Sequence, residues 1–267
     1  MEYSLINYID KVNSTIKRIE DMKNIDFDKS IVLPILEYLT ANNLISQEEL
    51  SKFLKNNSNE LRKLKFYRFS DFLNVSDEIE DYLSQLTDEI SGMLPKNVDM
   101  QSIDFLLYEI LINIYKHSKF ENAYIQFDIR NNDKILEIQI IDDGIGIPGS
   151  FKDASFNYKQ DSKAIYDAIN GKTTDKEKYN LHGRGLNSSA RITTLGFDGE
   201  MLISSGKGIC LINKNGAQTF TNANKQNGTF IILKIKNKKI DDIYEYLKYE
   251  KINKITGDEH EYKRNNS

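Results

Sequence analysis

The stretch Ile141-Asp142-Asp143-Gly144-Ile145-Gly146-Ile147-Pro148 constrains this chain more than any other. Ile135, Leu136, Ile138 and Ile140 form an alternating apolar run that leads straight into a carboxylate, and two glycines follow at spacing two. Strand-like residues end there, and the backbone must turn tightly with little side-chain bulk. An aspartate at the lip of such a turn can accept a hydrogen bond from an amino group, and the glycines let a flat ligand approach the main chain. Alone, Asp-Gly after a strand is an ordinary turn. It gains weight from the unusual segments that flank it in a fixed order.

Upstream, the run from Phe105 to His117 is apolar except at Glu109, Asn113, Lys116 and His117. Those four positions stack along one face of a helix over about two turns, leaving the other faces for burial against a sheet. A narrow solvated stripe is common on such helices. This stripe, however, brings a carboxylate, an amide, an ammonium and an imidazole onto one ridge. Mg²⁺ takes hard oxygen ligands and commonly binds through one or two protein oxygens plus phosphates. Asn113 could supply such an oxygen, Glu109 could orient or deprotonate a water, and Lys116 could meet phosphate charge.

Downstream, Leu181-His182-Gly183-Arg184-Gly185-Leu186 opens a helix expected over Leu186 to Thr194. Glycines before a helix start leave backbone N–H groups free to point at an anion, and the helix dipole favours negative charge there. Arg184, between the glycines, adds a guanidinium fork that matches phosphate oxygens. Last, Asn227-Gly228-Thr229-Phe230 opens a final strand, where Thr229 could hydrogen-bond the aspartate or a water near a bound base.

Taken in order, the four segments resemble the ATP-binding domain shared by histidine kinases, type II topoisomerases, the heat-shock chaperone of that class and mismatch-repair ATPases, the Bergerat or GHKL fold. The resemblance covers about residues 95 to 250. It implies that Glu109 to His117 is the N box, with Asn113 at the magnesium position and Glu109 at the hydrolytic base. Lys116 and His117 join the same binding ridge. It implies that Asp142, Gly144, Gly146 and Ile147 belong to the first glycine box, Asp142 binding the exocyclic amine of adenine. Gly183, Arg184, Gly185 and Leu186 match the second glycine box over the phosphates, and Gly228-Thr229 the late pair that supports Asp142. ATP and Mg²⁺ are the implied cofactors. Asp143 replaces the asparagine often found after the adenine-binding aspartate, which changes local charge without abolishing binding. Lys163, Lys172, Lys176 and Lys178 are further candidates for phosphate contact, each also readable as a solvated loop lysine.

The rest of the chain bounds this reading. With 267 residues there is enough chain for one large domain or two modest ones. The 36 basic and 40 acidic residues give a formal charge of -4. That balance argues against a dedicated nucleic-acid binder. The single cysteine, Cys210, lies in an apolar run and reads as a small buried hydrophobe rather than a disulfide or zinc ligand. The amino terminus lacks a secretion signal, and no stretch reaches the roughly 20 apolar residues of a membrane helix. A cytoplasmic protein is expected, and the heavy use of Lys, Asn and Ile fits an AT-rich bacterial genome.

The expected fold is α+β: a Bergerat-type two-layer sandwich, with a mixed, largely antiparallel sheet covered by helices, preceded by a mainly helical module. Residues 1–94 are that module, suited to docking or homodimerisation, 95–255 the ATP-binding domain and 256–267 a polar tail. Strands are expected at 123–130 and up to Asp142. A hairpin is expected around Gly206-Lys207-Gly208, a strand over Thr229 to Ile235 and a helix over Asp241 to Tyr249. Residues 149–182 read as a long polar loop, closing over the nucleotide, with a short helix at Ser162 to Ile169.

No histidine precedes His117, so autophosphorylation on an upstream histidine helix is not expected. A transducer domain after the last helix is not expected. What remains looks more like the bacterial anti-sigma-factor serine/threonine kinases and related regulatory ATPases, which implies a protein partner. Two functions follow: an Mg-dependent ATPase or serine/threonine kinase using Glu109, or an ATP-gated protein-binding switch with little turnover.

Overall fold

The computed structural model describes residues 5, 11–12, 14–15, 17, 61–63, 76–92, 98–130, 135–174 and 184–255. Most of the helical pattern expected before residue 76, and the polar tail, lie outside these. Residues Leu5, Lys11, Val12, Ser14, Thr15 and Lys17 are helical. Among the described residues, no helix is long and apolar enough to cross a membrane.

Five strands form one open sheet in the order β1-β2-β3-β5-β4. They are β1 (Leu61–Lys63), β2 (Ala123–Arg130), β3 (Ile135–Asp142), β4 (Glu200–Asn213) and β5 (Gly216–Lys236). All four pairings are antiparallel. A parallel bridge joins Ala217 and Lys254. Alternation decides which side chains face inward. Ile125 and Phe127 of β2, Leu136, Ile138 and Ile140 of β3, Ile231, Leu233 and Ile235 of β5, and Met201 and Ile203 of β4 share one apolar cluster.

Helices α1 (Ser76–Ser91) and α2 (Met100–His117) pack into the same cluster. Helix α1 contributes Ile79, Leu83 and Leu86 at helical spacing. Helix α2 contributes Ile103, Leu106, Leu107, Ile110, Leu111 and Ile114. Burying each such side chain is worth about 1.5–3 kcal/mol. Asp99 caps α2 through its Oδ1, which accepts from the Ser102 N–H at 3.3 Å. Lys116 and His117 lie in the last turn, where the helix dipole favours cations. The result is the expected two-layer sandwich.

Three local expectations change. The segment expected as a loop from 149 instead starts in a helix, α3 (Gly146–Asp153), which begins inside the glycine box; the expected short helix is present as α4 (Asp161–Ile169), and 175–182 lie outside the described residues. Gly-Ile-Pro-Gly is a poor helix former, but Pro148 sits in the first turn, where its missing N–H costs little, and buried Phe151 anchors the helix.

The expected hairpin at Gly206-Lys207-Gly208 is a register break inside a continuing β4. Asp161 at the start of α4 accepts the Lys207 N–H at 2.7 Å and holds the bulge in place. The chain reverses at Lys214-Asn215 instead, where the Asn215 N–H donates to Asn213 Oδ1 at 2.9 Å. The expected helix over 241–249 shortens to one turn, α6 (Tyr244–Leu247). Helix α5 (Arg184–Arg191) runs into a π-helical turn over Ile192–Gly196.

Candidate nucleotide site

The end of β3, the interior of β5, the polar face of α2, helix α3 and the start of α5 enclose a cavity of ≈ 640 Å³. Glu109, Asn113, Lys116 and His117 line it from α2, and Asp142, Gly146, Ile147 and Thr229 from the sheet and the glycine box. Gly185 and Leu186 line it from α5. Residues separated by well over a hundred positions thus share one hollow. Gly144 is not among the lining residues, Gly183 lies outside the described residues, and Arg184 is the first residue of α5.

Asp142 is 1% exposed at the base of this cavity. Burial pushes its carboxyl from 3.8 up to about 7, opposed by the backbone N–H groups of Gly144 and Thr229 and reinforced by the charge of Asp143. The Gly144 N–H donates to Asp142 Oδ1 at 2.9 Å. A buried carboxyl that faces a cavity can receive a donor from a ligand without competition from bulk water.

The glycine box turns where only glycine fits. Gly146 has φ +69°, and a β-carbon there would lie 2.5 Å from Ser205 Oγ and 2.6 Å from the Gly228 carbonyl. The Ser205 hydroxyl donates to the Gly228 carbonyl at 2.7 Å and accepts the Ile147 N–H at 3.0 Å. Ser205 was invisible in the sequence pattern because it lies in β4, remote from every motif. Ser118 was missed too. Its carbonyl accepts the Ile145 N–H at 2.7 Å and fixes the far side of the turn.

Asp143 is a loop staple rather than a ligand group. Its Oδ1 accepts the backbone N–H groups of Glu121 and Asn122, both at 2.8 Å, and its Oδ2 accepts Asn122 Nδ2 at 2.9 Å.

On α2, Asn113 Nδ2 donates to the Glu109 carbonyl at 2.6 Å. That bond turns Oδ1, the harder donor, away from the helix backbone. Gly185 packs so tightly against the Glu109 carboxylate and the Asn113 amide that a β-carbon there would collide with Glu109 Oε2. The start of α5 therefore lies directly over the polar ridge of α2. Among the described residues, no cluster of three or more His, Cys, Asp or Glu side chains forms a metal site. The donor set fits Mg²⁺ held by one amide oxygen, with phosphate and water supplying the rest.

Of the lysine candidates, Lys172 lines the cavity, and Lys176 and Lys178 lie outside the described residues. The Lys172 ammonium stands 4.3 Å from the Phe156 ring centre and 4.9 Å from that of Tyr158, close enough for cation–π attraction. Lys163 pairs with Asp167 one turn along α4. Cys210 is fully buried, and burial pushes its thiol up to about 12, which suits a packing residue.

No curated protein sequence matches the chain. A family model for histidine kinase-, DNA gyrase B- and HSP90-like ATPases matches residues 98–239, which span α2 through β5 and contain all four motifs. With more than half of its length matched and the motifs gathered around one cavity, the chain belongs to the histidine kinase-, DNA gyrase B- and HSP90-like ATPase family, and this is its ATP-binding domain.

Proposed function

We propose that this ATPase domain turns over Mg-ATP in a regulatory protein, transferring the terminal phosphoryl group to water or to a serine or threonine hydroxyl of a protein partner. One observation carries the reading: the Glu109 carboxylate and the Asn113 amide line the cavity side by side, in contact with Gly185 at the start of α5. A site that only held nucleotide would need the anion-binding helix start but no carboxylate beside it. Here a carboxylate stands one helical turn from the amide oxygen suited to the metal, a placement from which it would act as a general base.

In this reading Asp142 accepts the adenine amine, with Thr229 and Ser205 holding the floor beneath it. Gly146 lets the base lie against the main chain. Asn113 Oδ1 would hold Mg²⁺, which when bound neutralises phosphate charge. Lys116, and Lys172 from its aromatic surroundings, face the triphosphate. Glu109 orients the attacking oxygen and takes its proton. Residues 1–94, whose β1 and α1 already join the sheet and core of this domain, would also serve as the docking or dimerising module.

Incubation with labelled ATP and Mg²⁺, with and without proteins encoded beside this one, tests the proposal by separating free phosphate from phosphoprotein. Release of free phosphate marks an ATPase and a labelled serine or threonine marks a kinase. Nucleotide binding with neither product would replace both by an ATP-gated switch.

A further inference from the structure

The family match ends at residue 239, and the next 16 residues, 240–255, lie across the elements that frame the cavity. This strap begins at the cap of α2, where Asp99 Oδ2 accepts the Ile240 N–H at 2.9 Å. Ile240, Ile243, Tyr246, Leu247 and Ile252 pack against the apolar cluster. The strap ends against β5, where the Ala217 N–H donates to the Asn253 carbonyl at 2.9 Å and the Ile255 N–H to the Ala217 carbonyl at 2.8 Å.

Between those ends it is held by polar side chains from the two helices that carry the cavity walls. Arg191, at the end of α5, has only 9% of its side chain exposed. Its Nη1 donates to the carbonyls of Glu245 (3.3 Å), Tyr246 (3.2 Å) and Lys248, and its Nη2 pairs with Glu250 Oε2 at 2.6 Å. Asn187, fully buried in α5, donates through Nδ2 to the Ile169 carbonyl at 2.8 Å and to the Glu250 carbonyl at 3.0 Å. One amide thus ties the end of α4, the strap and α5 together. Asn170, which caps α4, accepts the Ile252 N–H at 2.8 Å, and the Tyr166 hydroxyl donates to the Ile252 carbonyl at 2.9 Å.

What these bonds hold in place matters for the site. Helix α4 leads directly to Lys172, Thr173 and Thr174, which line the cavity on one side. Helix α5 begins with Gly185 and Leu186, which line it on the other and press against Glu109 and Asn113. None of Asn170, Asn187, Arg191 or the strap lines the cavity. A buried amide, Asn187, and a buried guanidinium, Arg191, are costly unless every partner is in place. The α4–α5 spacing that suits the strap is therefore strongly preferred.

We propose that Asn170, Asn187 and Arg191 are positioning residues for the nucleotide site, acting through the strap at 240–255, so that strap docking and nucleotide binding reinforce each other. The inference rests on the ATP-binding reading of the cavity. It identifies the strap as the handle by which a partner that captured residues 244–255 would weaken nucleotide binding, since coupling between two sites is reciprocal.

The test uses the full chain in three forms: unaltered, Arg191→Lys and Asn170→Ala. Lysine keeps the charge but cannot reach several carbonyls and a carboxylate at once. For each form, the Mg-ATP dissociation constant, the melting temperature and the amide exchange of Glu250, Ile252 and Ile255 with and without Mg-ATP are measured. The expected result is a dissociation constant about fivefold or more weaker in both variants, with strap amides in the unaltered chain exchanging more slowly once Mg-ATP is bound. A lowered melting temperature with the dissociation constant within twofold of the unaltered chain would reduce these residues to stabilisers and overturn the proposal. So would strap exchange that ignores Mg-ATP, a result that needs no variant to fold. A folded, unaltered chain that binds no ATP would instead defeat the reading of the cavity itself.

Discussion

Thr229 stands directly opposite Asp142 in the β3–β5 ladder, and Ser205 stands opposite Thr229 on β4. The row crosses three strands; Asp142 and Thr229 line the cavity and Ser205 backs them, with the Ser205 and Thr229 hydroxyls 3.3 Å apart. Ser205 is fully buried and also holds the Ile147 N–H and the Gly228 carbonyl. Ser205→Ala leaves those groups without their partner, which costs about 1–3 kcal/mol for each such buried loss. Denaturant unfolding should show a lower midpoint at unchanged slope, and ATP affinity should fall with it.

Ionisation of Asp142 sets a pH dependence. Its carboxyl is raised from 3.8 to about 7, so the folded protein keeps a proton that the unfolded chain has already released. This contribution to stability is complete below 3.8 and is lost as pH rises through about 7. Asp142→Asn should remove that slope from the unfolding free energy. An amine needs an acceptor, and the ionised carboxylate is the stronger one. Adenosine binding should therefore strengthen between about pH 6 and 8. Calorimetry in two buffers should detect proton release on binding.

Gly146→Ala places a β-carbon where the backbone has φ +69° and where Ser205 Oγ and the Gly228 carbonyl already lie. Strain of this kind costs about 1–3 kcal/mol. The expected outcome is a lower melting temperature together with lost nucleotide binding, since the turn at Gly146 is part of the cavity wall.

Glu109 and Asn113 should separate in kinetics. Glu109→Gln keeps the shape but removes the base, so turnover should fall by about 10²–10⁴-fold while the ATP dissociation constant changes little. Asn113→Ala removes the oxygen proposed for the metal. Its ATP affinity with Mg²⁺ should approach the affinity measured in a chelator. An Asn113→Ala protein that still gains affinity from Mg²⁺ would place the metal elsewhere.

Asp143 answers a different question, because its three hydrogen bonds tie the loop at Glu121-Asn122 to the glycine box. Asp143→Ala should lower stability by about 1–3 kcal/mol. Restoring only one acceptor oxygen, as in Asp143→Asn, should recover part of that loss. Chemical unfolding of the two variants side by side checks the order.

The sequence carried the site wherever the information was local. The polar ridge on α2 follows from helical spacing alone, and β2 and β3 from alternation around the run that ends in Asp142. The row across β3, β5 and β4 was half legible: Thr229 announced itself as part of a Gly-Thr pair, but Ser205 joins it only through strand register. Gly206-Lys207-Gly208 was misread because its composition suits a turn, and only Asp161, remote in sequence, converts it into a bulge. Arg191 carries no local sign of its role. Its partners lie 54 to 59 residues away, and no periodicity reports such a contact.

Strand β1 also bears on how this protein can be dissected. Leu61, Arg62 and Lys63 pair with Gln126, Ile125 and Tyr124, shielding part of the outer margin of β2. A fragment cut to the family match alone, from residue 98, would bare that margin's backbone donors and acceptors. Unpaired margins of this kind recruit strands from neighbouring molecules. Self-association of such a fragment would report the missing β1 rather than the native oligomeric state.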